Sequence, residues 1–409
     1  MKRSITQFLI LLGAVTLACA TLTSAPTAIP ATATTLPPSP TAAHLTEAEI
    51  IKGIQKSLNI YANAYAENDI ELLATVIDPD NKPFNRFIKT RFRTEQEGYD
   101  GNRTEDTYLV DYIIQREYNL VQAHIIYDEV AAVDWVFRDL QDGTWVLTEP
   151  TVEQTGQVMV RNTEYFTFRT YPWADEVNAQ VESLMQNARD RVKAKLGKAP
   201  DERIEVEIIP TYGLYPHDDP NVVAYYRFNG ALNGVGDRMV IYAPNSYLFG
   251  WYYNEFGWEI DLENVLTHEY THMAHQRSFG NEGSMADWIV EGLAEYVDGI
   301  DRAYDLVDAF ENDEMIPLVD ETGSKQDLAN IYSLDTGVSL AYAEAEAVVA
   351  YIVNVRGGLD GFWRLAKAYN DSNGNLDTAL RNTYNISQKE FEAGWKDWLK
   401  TVYLPAYTK

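Results

Sequence analysis

The run Leu266-Thr267-His268-Glu269-Tyr270-Thr271-His272, followed by Asp287-Trp288-Ile289-Val290-Glu291-Gly292-Leu293-Ala294-Glu295-Tyr296, decides how this chain is read. The first run contains H-E-x-x-H. Residues four apart on an α-helix lie one turn above each other on the same face, so His268 and His272 can meet one metal ion. Glu269 then stands beside the pair, placed to work on a water molecule. The second run supplies Glu291 after an 18-residue gap from His272. A helix returning antiparallel would bring that carboxylate to the same ion, completing three protein ligands and leaving a fourth position open.

The chain has six histidines, and His268, His272 and His275 fall within eight residues. That clustering argues against an ordinary exposed helix face. His275 lies seven residues from His268, roughly 10 Å along a helix axis, too far to share a tetrahedral site. It is expected to pack or to hydrogen-bond nearby. Leu262, Val265, Leu266 and Met273 form the apolar back of the motif helix, expected over about Leu262 to Arg277, with Asp261 as its N-cap and Gly280 ending it. The return helix is expected from Ser284, its cap, to Val297, stopped by Gly299. Gly292 sits inside that helix at a cost of about 1 kcal/mol relative to Ala, which suggests a close approach of two helices near the metal.

Working outward, residues 159–409 read as strands followed by helices: Tyr165–Phe168, Ile204–Ile209, Val222–Phe228 and Arg238–Tyr242, with a long helix from Pro172 to Leu196 before the second strand. Further helices are expected at 337–355, 359–370 and 387–404. Residues 45–158 form a separate unit. Thr46 caps an amphipathic helix through Ile50, Ile54, Leu58, Tyr61 and Tyr65, and a short helix covers Ile70 to Val76. Four strand-like runs follow between Thr107 and Leu147, and Asp142-Gly143 marks a hairpin before the last. His124 falls in the second of these strands and reads as a sheet residue. The whole is an α+β arrangement. This first unit could cover the cleft of the second.

The N-terminus reads as an export signal over residues 1–18. Lys2 and Arg3 precede an apolar stretch from Phe8 to Ala18, shorter than the about 20 residues a spanning helix needs. The single cysteine, Cys19, ends it. Thr16-Leu17-Ala18-Cys19 resembles a bacterial lipobox, with Thr16 where that motif usually has Leu, and the resemblance implies a lipid-modified Cys19 and a membrane anchor. Ordinary cleavage near Ala18 or Ala20 would instead give a freely secreted protein. Residues 20–44 contain five prolines and no charged residue. At about 3.1 Å per residue they would make a spacer of some 75 Å. The formal net charge is −28, which argues against a nucleic-acid or anionic-membrane surface, since both partners would be repelled. Oligomeric state is not readable.

The metal motif with its downstream Glu is similar to that of the gluzincin metallopeptidases, and the 18-residue gap is that of aminopeptidase N and its relatives. Glu291–Tyr296 resembles their E-G-F-A segment, and residues 159–409 look like the peptidase MA-like, zincin-fold families. The resemblance implies a Zn²⁺ ion on His268, His272 and Glu291, with Glu269 as general base and a peptide or protein as substrate. It also implies that Glu295, four residues after Glu291, orients the first metal histidine. Tyr342, opening the run AYAEAEAVVAYIVNVRGG, is the candidate to stabilise the oxyanion. Residues 45–158 resemble the SnoaL-like α+β cone, which implies a fold and no function. One departure bears on substrate. Aminopeptidases carry G-x-M-E-N upstream, whose Glu holds a free amine; Gly230–Gly236 here has no Glu. Endopeptidase action follows, with a strand such as Arg238–Tyr242 pairing with an extended peptide. A non-catalytic binding protein on the same fold, or a zinc hydrolase of a non-peptide bond, are the alternatives.

Overall fold

The computed structural model describes residues 45–97, 107–128, 131–141, 143–216, 222–227, 237–249, 258–279, 285–300, 302–319, 325–334 and 337–406. The export signal, Cys19 and the proline-rich stretch lie outside the described residues, as do Gly230–Gly236, Gly280 and Ser284.

The chain opens with helix α1 (Glu47–Glu67), whose first turn is closed by a reciprocal cap. Thr46 Oγ1 accepts from Glu49 N–H at 3.3 Å, and Glu49 Oε2 accepts from Thr46 N–H at 2.8 Å. This satisfies two amides that a helix start leaves without partners. Helix α2 (Ile70–Ala74) is short, and α3 (Lys82–Glu97) follows. Strands β1 (Tyr108–Gln115), β2 (Leu120–Tyr127), β3 (Ala131–Asp139) and β4 (Trp145–Thr148) make an antiparallel sheet in chain order. Gly143 has φ +83° between β3 and β4, the left-handed backbone that such a turn requires. His124 is a sheet residue, bonded through Nδ1 to Asp134 at 2.8 Å.

The second sheet runs β5 (Met159–Asn162), β6 (Phe166–Thr170), β7 (Ile204–Ile209), β9 (Arg238–Tyr242), β8 (Ala224–Arg227). The middle strands are parallel and both edge strands antiparallel to their neighbours. Helix α4 (Asp175–Leu196) connects β6 to β7 and ends on Gly197 at φ +76°.

Strand side chains alternate between faces; one face here is apolar, and the other carries Glu205, Glu207 and Arg238 beside its apolar residues. Val206, Ile208, Met239 and Ile241 pack with Val181, Met185 and Val192 of α4 and with Leu262, Leu266 and Met273 of α5 (Glu259–Phe279). Ile209, Val240 and Tyr242, from the other face of β7 and β9, join the core of the first unit with Ile54, Phe84 and Trp135. The motif helix and the first unit therefore lie on opposite faces of one sheet. Residues 45–158 back the sheet rather than cover the cleft. The contact is polar as well as apolar. Glu149, 2 % exposed, accepts from Thr211 Oγ1 at 3.1 Å, Tyr212 N–H at 2.8 Å and Tyr247 N–H at 3.2 Å.

The remaining helices are α6 (Asp287–Asp298), α7 (Ala303–Glu311), α8 (Val338–Val355), α9 (Gly358–Asp371), α10 (Leu376–Tyr384) and α11 (Gln388–Trp398). Among the described residues α8 is the one helix long and apolar enough to cross a membrane, and 61 % of it is buried inside the fold as a core helix. Its neighbour α6 approaches so closely that a Cβ on Gly292 would lie 2.4 Å from the carbonyl oxygen of Ala345. The close helix approach expected at Gly292 is thus present, and its partner is α8.

Candidate metal centre

Helix α5 is buried all round from Val265 to His275, as a helix sandwiched between a sheet and other helices must be. It begins at Glu259, so Asp261 is not its N-cap but a first-turn residue, with burial pushing its carboxyl up to about 6. Helix α6 starts after Ala286, without a side-chain cap, and stops at Gly299 with φ +75°.

The fold brings His268, His272 and Glu291 together. His268 Nε2 lies 3.0 Å from His272 Nε2 and 3.2 Å from Glu291 Oε2, and His272 Nε2 lies 3.5 Å from Glu291 Oε1. All three side chains are buried. Ligands of a tetrahedral ion bound at 2.0–2.1 Å are separated by roughly 3.3 Å. The three edges straddle that value, and two imidazoles with one carboxylate are a donor set that suits zinc. The cluster can hold a metal ion. Burial pushes the Glu291 carboxyl up, but His272 and His268 outweigh it and hold the group well below the usual carboxylate range.

His268 is held from its other side. Its Nδ1 lies 3.2 Å from Asp298 Oδ2 and 3.4 Å from Glu295 Oε1. A carboxylate only accepts, so Nδ1 donates to this pair, and with a metal ion on the cluster Nε2 would present its lone pair to it. Burial alone would lower the imidazole pKa; the bonds to Asp298 and Glu291 raise it well above its ordinary value. Sequence reading placed Glu295 here but missed Asp298, which makes the shorter contact, and Arg302, which donates to Glu295. A signal was present. Residues 291, 295 and 298 follow i, i+4, i+7 on one helix face.

Glu269 is fully buried, and burial raises its pKa. The backbone N–H of Tyr226 in β8 donates to its Oε2 at 2.9 Å, while Oε1 has no hydrogen-bond partner among the described residues. The Tyr226 amide therefore points away from β9, so the open edge of β8 faces the motif helix. Strand β9, expected to pair with a substrate, is interior to the sheet, bonded to β7 on one side and β8 on the other. The edge strands are β5 and β8, and β8 is the one beside the motif helix.

Tyr342, on α8, is 2 % exposed and close enough to Glu291 and Glu295 for them to raise its pKa further, after burial. A second tyrosine, not singled out from sequence, reaches nearer. Tyr332, on the 3₁₀ segment Leu328–Ser333, donates its hydroxyl to Glu291 Oε1 and bonds to the phenol of Tyr342. His275 stands outside the cluster, its ring 5.3 Å from that of Trp363 on α9.

No protein-family model matches the chain, and no curated protein matches it. Among solved structures it is similar to an M1 zinc metallopeptidase from Deinococcus radiodurans, with 13 % identity and a TM-score of 0.30 over 72 % of this chain and 60 % of that one. A variant of a two-domain M1 zinc metallopeptidase bound to L-arginine gives 12 % and 0.31 over 72 % and 60 %. The chain thus spans about 60 % of the length of these proteins. Likeness this distant assigns no family.

Proposed function

We propose that this chain is a zinc-dependent hydrolase of peptide bonds, acting within an extended substrate. One observation carries the reading: the buried triangle of His268, His272 and Glu291 has the edges of a tetrahedral metal site, with the unbonded carboxylate oxygen of Glu269 beside it. A zinc ion held there would supply Lewis acidity and make water a competent nucleophile at neutral pH. The residues of the chain do the rest. Glu269 Oε1 accepts the proton of the attacking water and returns it to the leaving amine. Its other oxygen, fixed by the Tyr226 amide, keeps the carboxylate from swinging. Asp298 and Glu295 hold His268 in the tautomer that leaves Nε2 free. The oxyanion needs a donor. Tyr332 is the better placed of the two tyrosines, with Tyr342 fixing its hydroxyl.

Apart from the Tyr226 amide that Glu269 takes, the edge of β8 would pair with an extended peptide, and this favours cleavage inside a chain over removal of a terminal residue. The export signal and Cys19 support action outside the cytoplasm, with the folded part tethered to a membrane through the proline-rich spacer.

The test is a mixed peptide pool incubated with the full-length zinc-loaded protein and, in parallel, with its Glu269→Gln variant, followed by mass spectrometry. Internal cleavages found only with the unsubstituted protein are expected. Cleavage confined to N-terminal residues would overturn the endopeptidase reading, and identical pools would overturn peptide hydrolysis.

A further inference from the structure

The carboxylates behind His268 outnumber the proton that faces them. Nδ1 offers one N–H, yet both Asp298 Oδ2 and Glu295 Oε1 lie within 3.4 Å of it. His268, Glu295 and Asp298 form a second buried group whose ligand atoms lie within 4.8 Å of one another, as His268, His272 and Glu291 do. His268 is common to both, one ring nitrogen serving each. Helix α6 supplies all the carboxylates: Glu291 to the front, Glu295 and Asp298 to the back. By donor chemistry the back group is also a ligand set for a divalent cation.

Two carboxylates taken out of water need positive charge close by. Arg302 provides it. It directly precedes α7, is 3 % exposed, and donates Nε to Glu295 Oε2. Asp298 is tied down independently, its Oδ1 accepting from Ile300 N–H at 2.9 Å. A guanidinium does not lose its proton in a protein and does not dissociate as a bound ion would. We propose that Arg302 stands in the place of a second metal ion, a built-in cation that closes the back of His268 and restricts the centre to one metal. The inference rests on the front cluster being a metal site, and it goes beyond that reading by assigning the back cluster a latent site of its own.

Removing the guanidinium should open that site. A metal there would take the Nδ1 lone pair, with the Nδ1 proton released to solvent, and would use one oxygen each from Glu295 and Asp298. The full-length protein is dialysed against excess zinc and its metal content counted by plasma mass spectrometry, with circular dichroism verifying the fold. Arg302→Ala is expected to bind one zinc ion more per chain than the unsubstituted protein. Arg302→Lys, which retains a cation, is expected to bind no more, and Arg302→Ala combined with Glu295→Gln should lose the extra ion. If Arg302→Ala does not fold, Arg302→Gln carries the test with the same expected gain, since it keeps a hydrogen bond to Glu295 without the charge. A folded, charge-free variant with no additional ion overturns the proposal. So does an extra ion that survives Glu295→Gln. Failure of the underlying reading looks different: the unsubstituted protein and His272→Ala would then bind equal amounts of zinc.

Discussion

Replacing Gly292 by Ala tests how tightly the backbone geometry of α6 sets the metal cluster. A Cβ at this position would lie 2.4 Å from the Ala345 carbonyl oxygen, 2.7 Å from its carbon and 3.0 Å from Val349 Cγ2. Two of the three obstacles are backbone, so no rotamer change relieves them. Ordinary contact begins near 3.4 Å, and α6 and α8 must separate by about 1 Å. Alanine gains about 1 kcal/mol of helix propensity over glycine, while overpacking a core costs about 1–3 kcal/mol. The balance is a loss of up to about 2 kcal/mol in the metal-free protein. The metal is affected more, because Gly292 follows Glu291 directly. A 1 Å displacement is large beside edges of 3.2 and 3.5 Å to the two imidazoles. Zinc affinity should fall on the order of 10–100-fold, the scale seen when the support of a metal ligand is disturbed. Urea unfolding of the metal-free protein gives the first quantity and competition with a zinc-binding dye the second. If Gly292→Ala is more stable than the parent by its propensity gain and binds zinc equally well, the close approach does not constrain the site, and the reasoning fails.

Tyr332→Phe removes the hydroxyl nearest the cluster and should lower turnover about 10²–10³-fold while Tyr342→Phe costs less; the reverse order in peptide-cleavage rates would return the oxyanion role to Tyr342. Residues 159–409 made alone would expose Ile209, Val240, Tyr242, Tyr247 and Leu248, so this piece should bind an apolar dye and lose its sharp unfolding transition, and a soluble, cooperatively folding piece would contradict the shared core. Burial pushes the carboxyl of Glu344, which accepts from Ile316 N–H at 2.9 Å, up from 4.5 to about 8. A raised carboxyl favours the protonated native state, so its stability contribution is full below about pH 4.5 and is lost as pH rises through 8. Glu344→Gln should therefore stabilise the fold more at pH 9 than at pH 5, as read from urea midpoints, and an equal effect at both would refute this.

Much of the site was legible because its chemistry is local. The shared face of His268 and His272 follows from helix geometry, the ligand role of Glu291 was implied by the resemblance of its spacing, and the Thr46 cap and the alternation of Ile204–Ile209 mark their elements directly. What escaped depended on distant segments. Helix α3 has apolar residues at Phe84, Phe87, Ile88 and Phe92, but a lysine- and arginine-rich composition masked that stripe. Strand β5 is exposed throughout and offers no alternation to read. Arg302 and Tyr332 reach the site from a helix start and a 3₁₀ turn, positions that no periodicity marks. The place of the first unit was hidden for another reason. An apolar run such as Met239–Tyr242 reports burial on both faces but not what covers each one.

That two-sided burial makes β7 and β9 common property of two cores. The boundary expected near residue 158 would divide the chain, yet strands beyond it contribute to both cores. Exposing the amides of Val240 and Tyr242 to solvent exchange requires both cores to open, so these amides should report the global unfolding free energy rather than that of either half. Heat should then melt the described fold in one step, with the tightly held strands of the sheet acting as the hinge line along which neither half can leave without the other.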